Sequence, residues 1–418
     1  MKFISWNVNI RIMKKLSVSL SALLLIAGLV AACGESNAQA PTSQPSTDVV
    51  GPCSQQFLPT ITTMTFPHTS SQSIYFISGV HLYALNAGNG ALRWCLHAGR
   101  ADSRLATIGN ASFPVIGGPP PPSDGLSAMT VEQGSIYVCS MDSYTYAFNA
   151  SSGALRWKHQ TGFANTSAPT IHNGVVYVGS GTIYALNQQD GTEVWHYPTP
   201  DVVTSSPVIV NGVVYLGSYG ERVYALDAVS GSRNWEYPTG GRVYVDPVVG
   251  NGIVFFGAGN DGPSLYAVNA QNGKLLWHNA MLVNSTLTLA NGVLYVGTNN
   301  YLYALNAKDG TTRWRQPLMT SLKTLVVNDI LYVVLDSGDM YALNANDGTQ
   351  RWHTPLRSMH AGSTTMPLII HDELYVGTVD LGSSSPSNAM LHALNTNTGV
   401  EDWHASLAWN ISTIGVAA

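Results

Sequence analysis

An eleven-residue pattern, A-x-[ND]-x-x-x-G-x-x-x-W, recurs eight times along this 418-residue chain, and it limits the fold more than any other feature. The copies open at Ala84, Ala147, Ala185, Ala225, Ala267, Ala304, Ala342 and Ala393, and close at Trp94, Trp157, Trp195, Trp235, Trp277, Trp314, Trp352 and Trp403. The third position is Asn in seven copies and Asp227 in the other; the glycines are Gly90, Gly153, Gly191, Gly231, Gly273, Gly310, Gly348 and Gly399. A unit of this size cannot bury its apolar face alone, so the copies must stack on one another.

Each unit reads as four strands. In the third copy, Ser167–Ile171 is short and bounded, His172-Asn173-Gly174 turns the chain, and Val175–Gly179 is β-branched and aromatic. Ile183–Leu186 follows, then the turn Gln188–Gly191, then Glu193-Val194-Trp195. Asn-Gly, which tolerates the positive φ angles of a tight hairpin, recurs at 173–174, 211–212, 251–252 and 291–292. Four strands in about 40 residues make a propeller blade, so the expected fold is all-β: an eight-bladed β-propeller of four-stranded antiparallel blades. In the pattern, Asn or Asp bonds its own turn backbone, Gly supplies a left-handed residue, and Trp buries its ring against an adjacent blade. The eight tryptophans are therefore read as structural docking residues.

The pattern resembles the tryptophan-docking motif of the pyrroloquinoline quinone (PQQ) repeat family. The resemblance covers about residues 73–418. Eight-bladed propellers of this family occur in quinoprotein dehydrogenases and in the lipoprotein of the outer-membrane barrel-assembly machinery; the motif specifies fold strongly and function weakly.

Successive tryptophans are 63, 38, 40, 42, 37, 38 and 51 residues apart. The long gaps hold insertions at about 99–128 and at Asp380–Pro386. One connects blade 1 to blade 2 and the other joins strands two and three of blade 8, so both are expected on one face, in one sector, as a candidate recognition surface. Ile411–Ala418 resembles the first-strand segments of other blades and is expected to close the ring as the inner strand of blade 1, with residues 57–65 the competing candidate.

Upstream of the repeats, Met13-Lys14-Lys15 precedes an apolar run, Leu16–Ala32, that ends in Val30-Ala31-Ala32-Cys33. The last four residues resemble the bacterial lipobox, which implies a signal peptide over 1–32 and lipid attachment at Cys33; translation can begin at Met13. An ordinary signal peptide or membrane-spanning anchor is the alternative. Residues 33–56 read as the lipidated Cys and a flexible tether, and 57–418 as the propeller. Only 10% of residues are charged, and beyond residue 32 there are 15 basic against 24 acidic residues, a net of −9. That balance excludes a coiled coil, a charged disordered chain and a nucleic-acid binder.

The resemblance to quinoprotein dehydrogenases implies an adjacent Cys-Cys pair, a calcium held by Glu, Asn and Asp, and an Asp base. The chain has no Cys-Cys, no C-x-x-C-H, no H-E-x-x-H, no G-x-S-x-G and no phosphate-binding loop. Of Cys53, Cys95 and Cys139, the preferred disulfide is Cys53–Cys95, with Cys139 buried. His196, His278, His353 and His404 each follow a tryptophan; equivalent positions lie a blade apart, too far to share an ion. Ala168, Ser206, Asp246, Thr286, Lys323 and Met366 align at one level of the first strands. Asp246 and Lys323 are thus candidate channel or partner-binding residues, facing one channel or bridged by water. Lys323 also carries the alternative of PQQ with calcium, since the family places a cation over the quinone. The expectation is a lipid-anchored, extracytoplasmic, monomeric and non-catalytic scaffold for envelope proteins without cofactor; the alternatives are a PQQ-dependent dehydrogenase or sensor, and a propeller that binds cell-wall glycan or a sensor kinase.

Overall fold

The computed structural model describes Gly51–Pro52, Thr60–Thr62 and residues 73–416, apart from 79–80, 88–90, 98–104, 109–110, 115–125, 163–166, 260–263, 284, 319–321, 357–363, 371, 381–387 and 408–410. The lipid-anchor reading at Cys33 and the boundaries of the signal and tether lie outside the described residues.

Eight antiparallel sheets of at least four strands form, one for each copy of the pattern. Blade 3 sets the plan: Thr170–His172, Val175–Gly179, Thr182–Asn187 and Glu193–Pro198 pair in chain order from the innermost strand to the outermost. First strands of successive blades contact one another, which places them around the central axis. Asn173-Gly174, Asn211-Gly212, Asn251-Gly252 and Asn291-Gly292 all have positive φ, from 49° to 77°, as a two-residue hairpin turn requires. The third and fourth strands are joined by the motif turn. There the Asp227 carboxylate accepts from the N–H groups of Val229 (3.1 Å) and Ser230 (2.8 Å), and Gly231 sits at φ 71°.

Every hydrophobic cluster draws on two neighbouring blades, so the core is a set of eight interfaces rather than one centre. Each tryptophan is mortar between blades. Trp195 donates its indole N–H to the Ala228 carbonyl of blade 4 (3.0 Å), which also accepts the Tyr177 hydroxyl (3.0 Å). The same indole-to-carbonyl bond links Trp94 to Ala150, Trp157 to Gln188, Trp235 to Ala270, Trp277 to Ala307, Trp314 to Ala345 and Trp352 to Thr396. Between blades 8 and 1, the Tyr375 hydroxyl reaches the Ala87 carbonyl (3.1 Å), while the fully buried Trp403 finds no acceptor for its Nε1 among the described residues.

The ring closes as expected through the C-terminus: Ile411–Val416 pairs antiparallel with Ser73–Ser78, Ile414 opposite Phe76. The competing segment lies elsewhere. Thr60–Thr62 adds a fifth strand to the outer edge of blade 8, with Ile61 opposite Ala405. Gly51–Pro52 likewise adds to the outer strand of blade 1, Pro52 opposite Leu96. Cys95 on that strand is disulfide-bonded; Cys53 lies outside the described residues. Cys139 is a fully buried thiol outside any disulfide, 3.9 Å from the Thr145 hydroxyl; burial pushes its pKa up to about 12 against that contact.

Candidate functional site

The first strands carry a belt of bonds around the axis. Thr130 Oγ1 donates to the Pro169 carbonyl (2.5 Å), Thr170 Oγ1 to the Pro207 carbonyl (2.5 Å) and Thr288 Oγ1 to the Thr324 carbonyl (3.0 Å), each from one blade to the next. One level of this belt contains the six aligned positions. The Ala168 N–H donates to Ser206 Oγ (3.0 Å), the Ser206 N–H to Asp246 Oδ1 (2.6 Å), and the Thr324 N–H to Thr286 Oγ1 (3.4 Å). Asp246 is open to solvent, yet protein crowds its carboxyl; lost hydration raises its pKa, and the Ser206 N–H opposes the rise.

Asp246 and Lys323 do not pair with each other. Lys323 Nζ instead donates to Asp336 Oδ1 in its own blade (3.4 Å), to Thr364 Oγ1 in blade 8 (3.2 Å), and to the Thr364 carbonyl. These acceptors occupy its three N–H donors. Burial lowers the Lys323 pKa, and the Asp336 carboxylate holds it back up. The pairing was hidden in sequence because Asp336 lies at the end of the second strand, outside the aligned level; the signal available was an Asp just beyond a buried apolar run, Ile330–Leu335.

The histidines after tryptophan are dispersed over the outer strands. His196 Nδ1 bonds Glu193 (2.7 Å), His353 Nε2 bonds Asp339 (2.9 Å), and His278 stacks on Tyr266. In blade 8, Glu401 accepts from His392 Nδ1 (2.6 Å) and lies 3.3 Å from His404 Nδ1. Among the described residues, no group of His, Cys, Asp or Glu is arranged to hold a metal ion.

On the face carrying the links between blades, an exposed aromatic and cationic patch spans blades 4 and 5. Tyr219 and Tyr244 meet edge to face at 5.4 Å, and the Arg242 guanidinium lies over the Tyr219 ring at 4.6 Å and bonds the Tyr244 hydroxyl (3.4 Å). Both rings are exposed, 41% and 48%. Backbone bonds hold the patch: Tyr219 N to the Val202 carbonyl (2.8 Å), Val243 N to the Ser218 carbonyl (3.2 Å) and Gly259 N to the Arg242 carbonyl (3.0 Å). Sequence reasoning missed it, although Arg242, Tyr244 and Asp246 alternate along the segment entering blade 5. The strands that flank the two long insertions, Leu92–His97 with Leu126–Glu132 and Glu373–Asp380 with Asn388–Asn395, meet those insertions at this same face. Most of the two insertions, residues 98–104, 109–110, 115–125 and 381–387, and with them the expected recognition sector, lie outside the described residues. The first insertion folds a two-stranded hairpin, Leu105–Ile108 with Ala111–Pro114.

This fold and repeat define an eight-bladed propeller of the PQQ-repeat class. Residues 78–262, 179–290 and 261–413 match the family described as outer membrane protein assembly factor BamB, and the chain belongs to that family. Among solved structures, BamB from Moraxella catarrhalis is similar over 67% of this chain and 94% of its own, at 18% identity and TM-score 0.51. The computationally designed Ika8 protein is similar over 69% and 89%, at 12% identity and TM-score 0.58. The quinohemoprotein alcohol dehydrogenase ADHIIG from Pseudomonas putida HK5 is similar over 79% and 72%, at 13% identity and TM-score 0.53. At these identities the likenesses concern the fold. No curated protein matches the chain in sequence.

Proposed function

We propose that this protein is a lipid-anchored envelope scaffold without chemistry of its own, which uses its loop-bearing face to hold a protein partner in outer-membrane protein assembly. The observation that carries the reading is the pinned Tyr219–Arg242–Tyr244 patch. Tyr and Arg dominate the energetics of protein interfaces, and side chains already fixed in place lose little entropy on binding. The family membership supports the assembly role. Lys323, the residue that would face a quinone, has its donors taken up by Asp336 and Thr364, which favours a structural role over cofactor binding. Lipid attachment at Cys33 belongs to the same proposal.

The test replaces Tyr244 with a photo-crosslinking phenylalanine analogue in the full chain, expressed in its host and irradiated in intact cells. A specific adduct with a component of the outer-membrane assembly apparatus, lost on Arg242→Glu, is the expected result. No adduct, together with saturable PQQ binding in the presence of calcium that Lys323→Ala abolishes, overturns the proposal in favour of a quinone-binding protein. Cys33→Ala is expected to move the protein from the membrane to the soluble fraction.

A further inference from the structure

The segment that enters blade 5 departs from its neighbours in chemistry but not in packing. Val203, Val243 and Val283 hold one position in the entries to blades 4, 5 and 6. Each packs so closely on a glycine of the preceding blade's second strand, Gly179, Gly217 or Gly257, that an added Cβ would overlap it. Around this shared valine, blade 4 has Val202, Thr204 and Ser206, and blade 6 has Leu282, Asn284 and Thr286. Blade 5 has Arg242, Tyr244 and Asp246 instead. Two blades therefore fold with no charge at these positions, so the fold itself does not require the two charges of blade 5. Burial alternates along the segment: Arg242, Tyr244 and Asp246 are exposed, while Val243 and Pro247 are buried. That alternation puts a cation, an aromatic ring and an anion, in that order, on the solvent side of one extended run.

Neither charge is paired within the described residues. Arg242 lies over Tyr219 and bonds the Tyr244 hydroxyl, and the Glu221 carboxylate acts on it only through space. A guanidinium has five N–H donors, so most of its capacity is open to a ligand. Asp246 accepts the Ser206 N–H and has no cation beside it; crowding raises its pKa, and only bonds from Ser206 oppose the rise. Lys323 is the contrasting case. It stands at the level of Asp246, but its ammonium lies 3.4 Å from the Asp336 carboxylate and also bonds Thr364, so its charge is used inside the fold.

We infer that the Arg242–Tyr244–Asp246 ladder binds an extended segment of a partner protein that carries an acidic, an apolar and a basic side chain at alternate positions. The inference rests on the scaffold reading of the same face and names the chemistry that its partner presents. Charge complementarity selects the occupant: the acid meets Arg242, the base meets Asp246, and the apolar side chain covers the exposed Tyr244 ring. An all-acidic or all-basic segment satisfies one charge and opposes the other. Pitch selects the conformation. Arg242 and Asp246 are four residues apart in an extended run, about 13 Å, and a second extended chain repeats its side chains on one side at the same interval.

The test titrates the detergent-solubilised full chain with three capped fluorescent peptides, followed by anisotropy. Each has three side chains at alternate positions, separated by threonine: glutamate, leucine, lysine in the first; lysine, leucine, lysine in the second; glutamate, leucine, glutamate in the third. The first is expected to bind about five-fold tighter than either other, as one exposed ion pair exchanged for a like-charge contact implies, and high salt should narrow the difference. Arg242→Glu is expected to move the preference to the second peptide, and Asp246→Lys to the third. Because Asp246→Lys also removes the acceptor of the Ser206 N–H, the double variant Arg242→Gln, Asp246→Asn keeps an acceptor there and is expected to bind all three alike. Proline in place of the threonines forbids a helix and is expected to leave affinity unchanged. Equal affinity of the unmodified protein for the three peptides, a preference that survives in the double variant, or loss of binding with the proline spacers overturns the inference. So does a concentration-dependent dimer that the double variant dissolves, since a second copy then occupies the ladder. A cellular adduct at Tyr244 without this charge preference overturns the inference and leaves the scaffold reading standing; the preference without an adduct retains the ladder as a peptide site and removes the assembly role.

Discussion

Replacing Gly231 with alanine separates the two reasons for which the repeat keeps a glycine there. At φ 71° any L side chain is strained, at a cost of about 1–2 kcal/mol. An added Cβ also comes within 2.6 Å of the Trp195 ring, closer than real contacts allow, and overpacking of this kind costs about 1–3 kcal/mol. The total is ~2–5 kcal/mol. Gly212 provides the reference: its φ is 74°, but nothing lies within 4 Å of an added Cβ, so Gly212→Ala carries the backbone cost alone, about 1–2 kcal/mol. For a unit spanning Thr47–Ala418, entropy scaled from typical per-residue values makes each kcal/mol worth about 1.3 °C. Gly231→Ala is therefore expected to lower the thermal midpoint by ~3–6 °C and Gly212→Ala by ~1–3 °C, read by far-ultraviolet circular dichroism. Equal shifts in the two variants would refute the claim that the glycine is kept to admit the neighbouring indole.

Trp195→Phe loses the bond to the Ala228 carbonyl, whereas Trp403→Phe loses no bond made among the described residues, so urea denaturation should find the former costlier by about 1 kcal/mol. Deleting residues 411–418 uncovers the inner edge of blade 1, where Ile74 and Phe76 are fully buried, and limited proteolysis should then cleave within blades 1 and 8 at protease concentrations that spare the intact chain. Burial raises the phenol pKa of Tyr177, Tyr215, Tyr224, Tyr237, Tyr295, Tyr332, Tyr341 and Tyr375, and takes Tyr83 to about 12. A folded pKa above the unfolded value of 10.0 means that this stability is complete below pH 10 and is lost as pH rises toward 12. Exposed phenols ionise gradually in the folded protein, so the share of tyrosinate absorbance that belongs to these buried phenols should appear as a step together with unfolding; its appearance before unfolding, with the circular dichroism unchanged, would contradict the burial argument.

The blades were legible from residues 73 onward because their determinants are local and periodic. Asn173-Gly174 makes its turn, and Gly231 its left-handed bend, from backbone preferences that a short window of sequence displays. The indole of Trp195 could be assigned to a neighbouring blade because all repeats face the same packing problem. Ile411–Val416 could be placed because it resembles the first strands it joins. What tertiary structure alone decided involves contacts with no sequence period. The position of Thr60–Thr62 depends on which outer edge lies nearest after the ring closes. The partner of Lys323 depends on a side-chain geometry that brings Asp336 and Thr364 to one ammonium from two blades. Tyr219 meets Arg242 and Tyr244 because adjacent blades converge toward the axis, bringing a loop tip of blade 4 against the strand-entry segment of blade 5. Repetition wrote the scaffold into the chain, whereas the surfaces available for binding arise where single, unrepeated residues from different blades are brought together by closure of the ring.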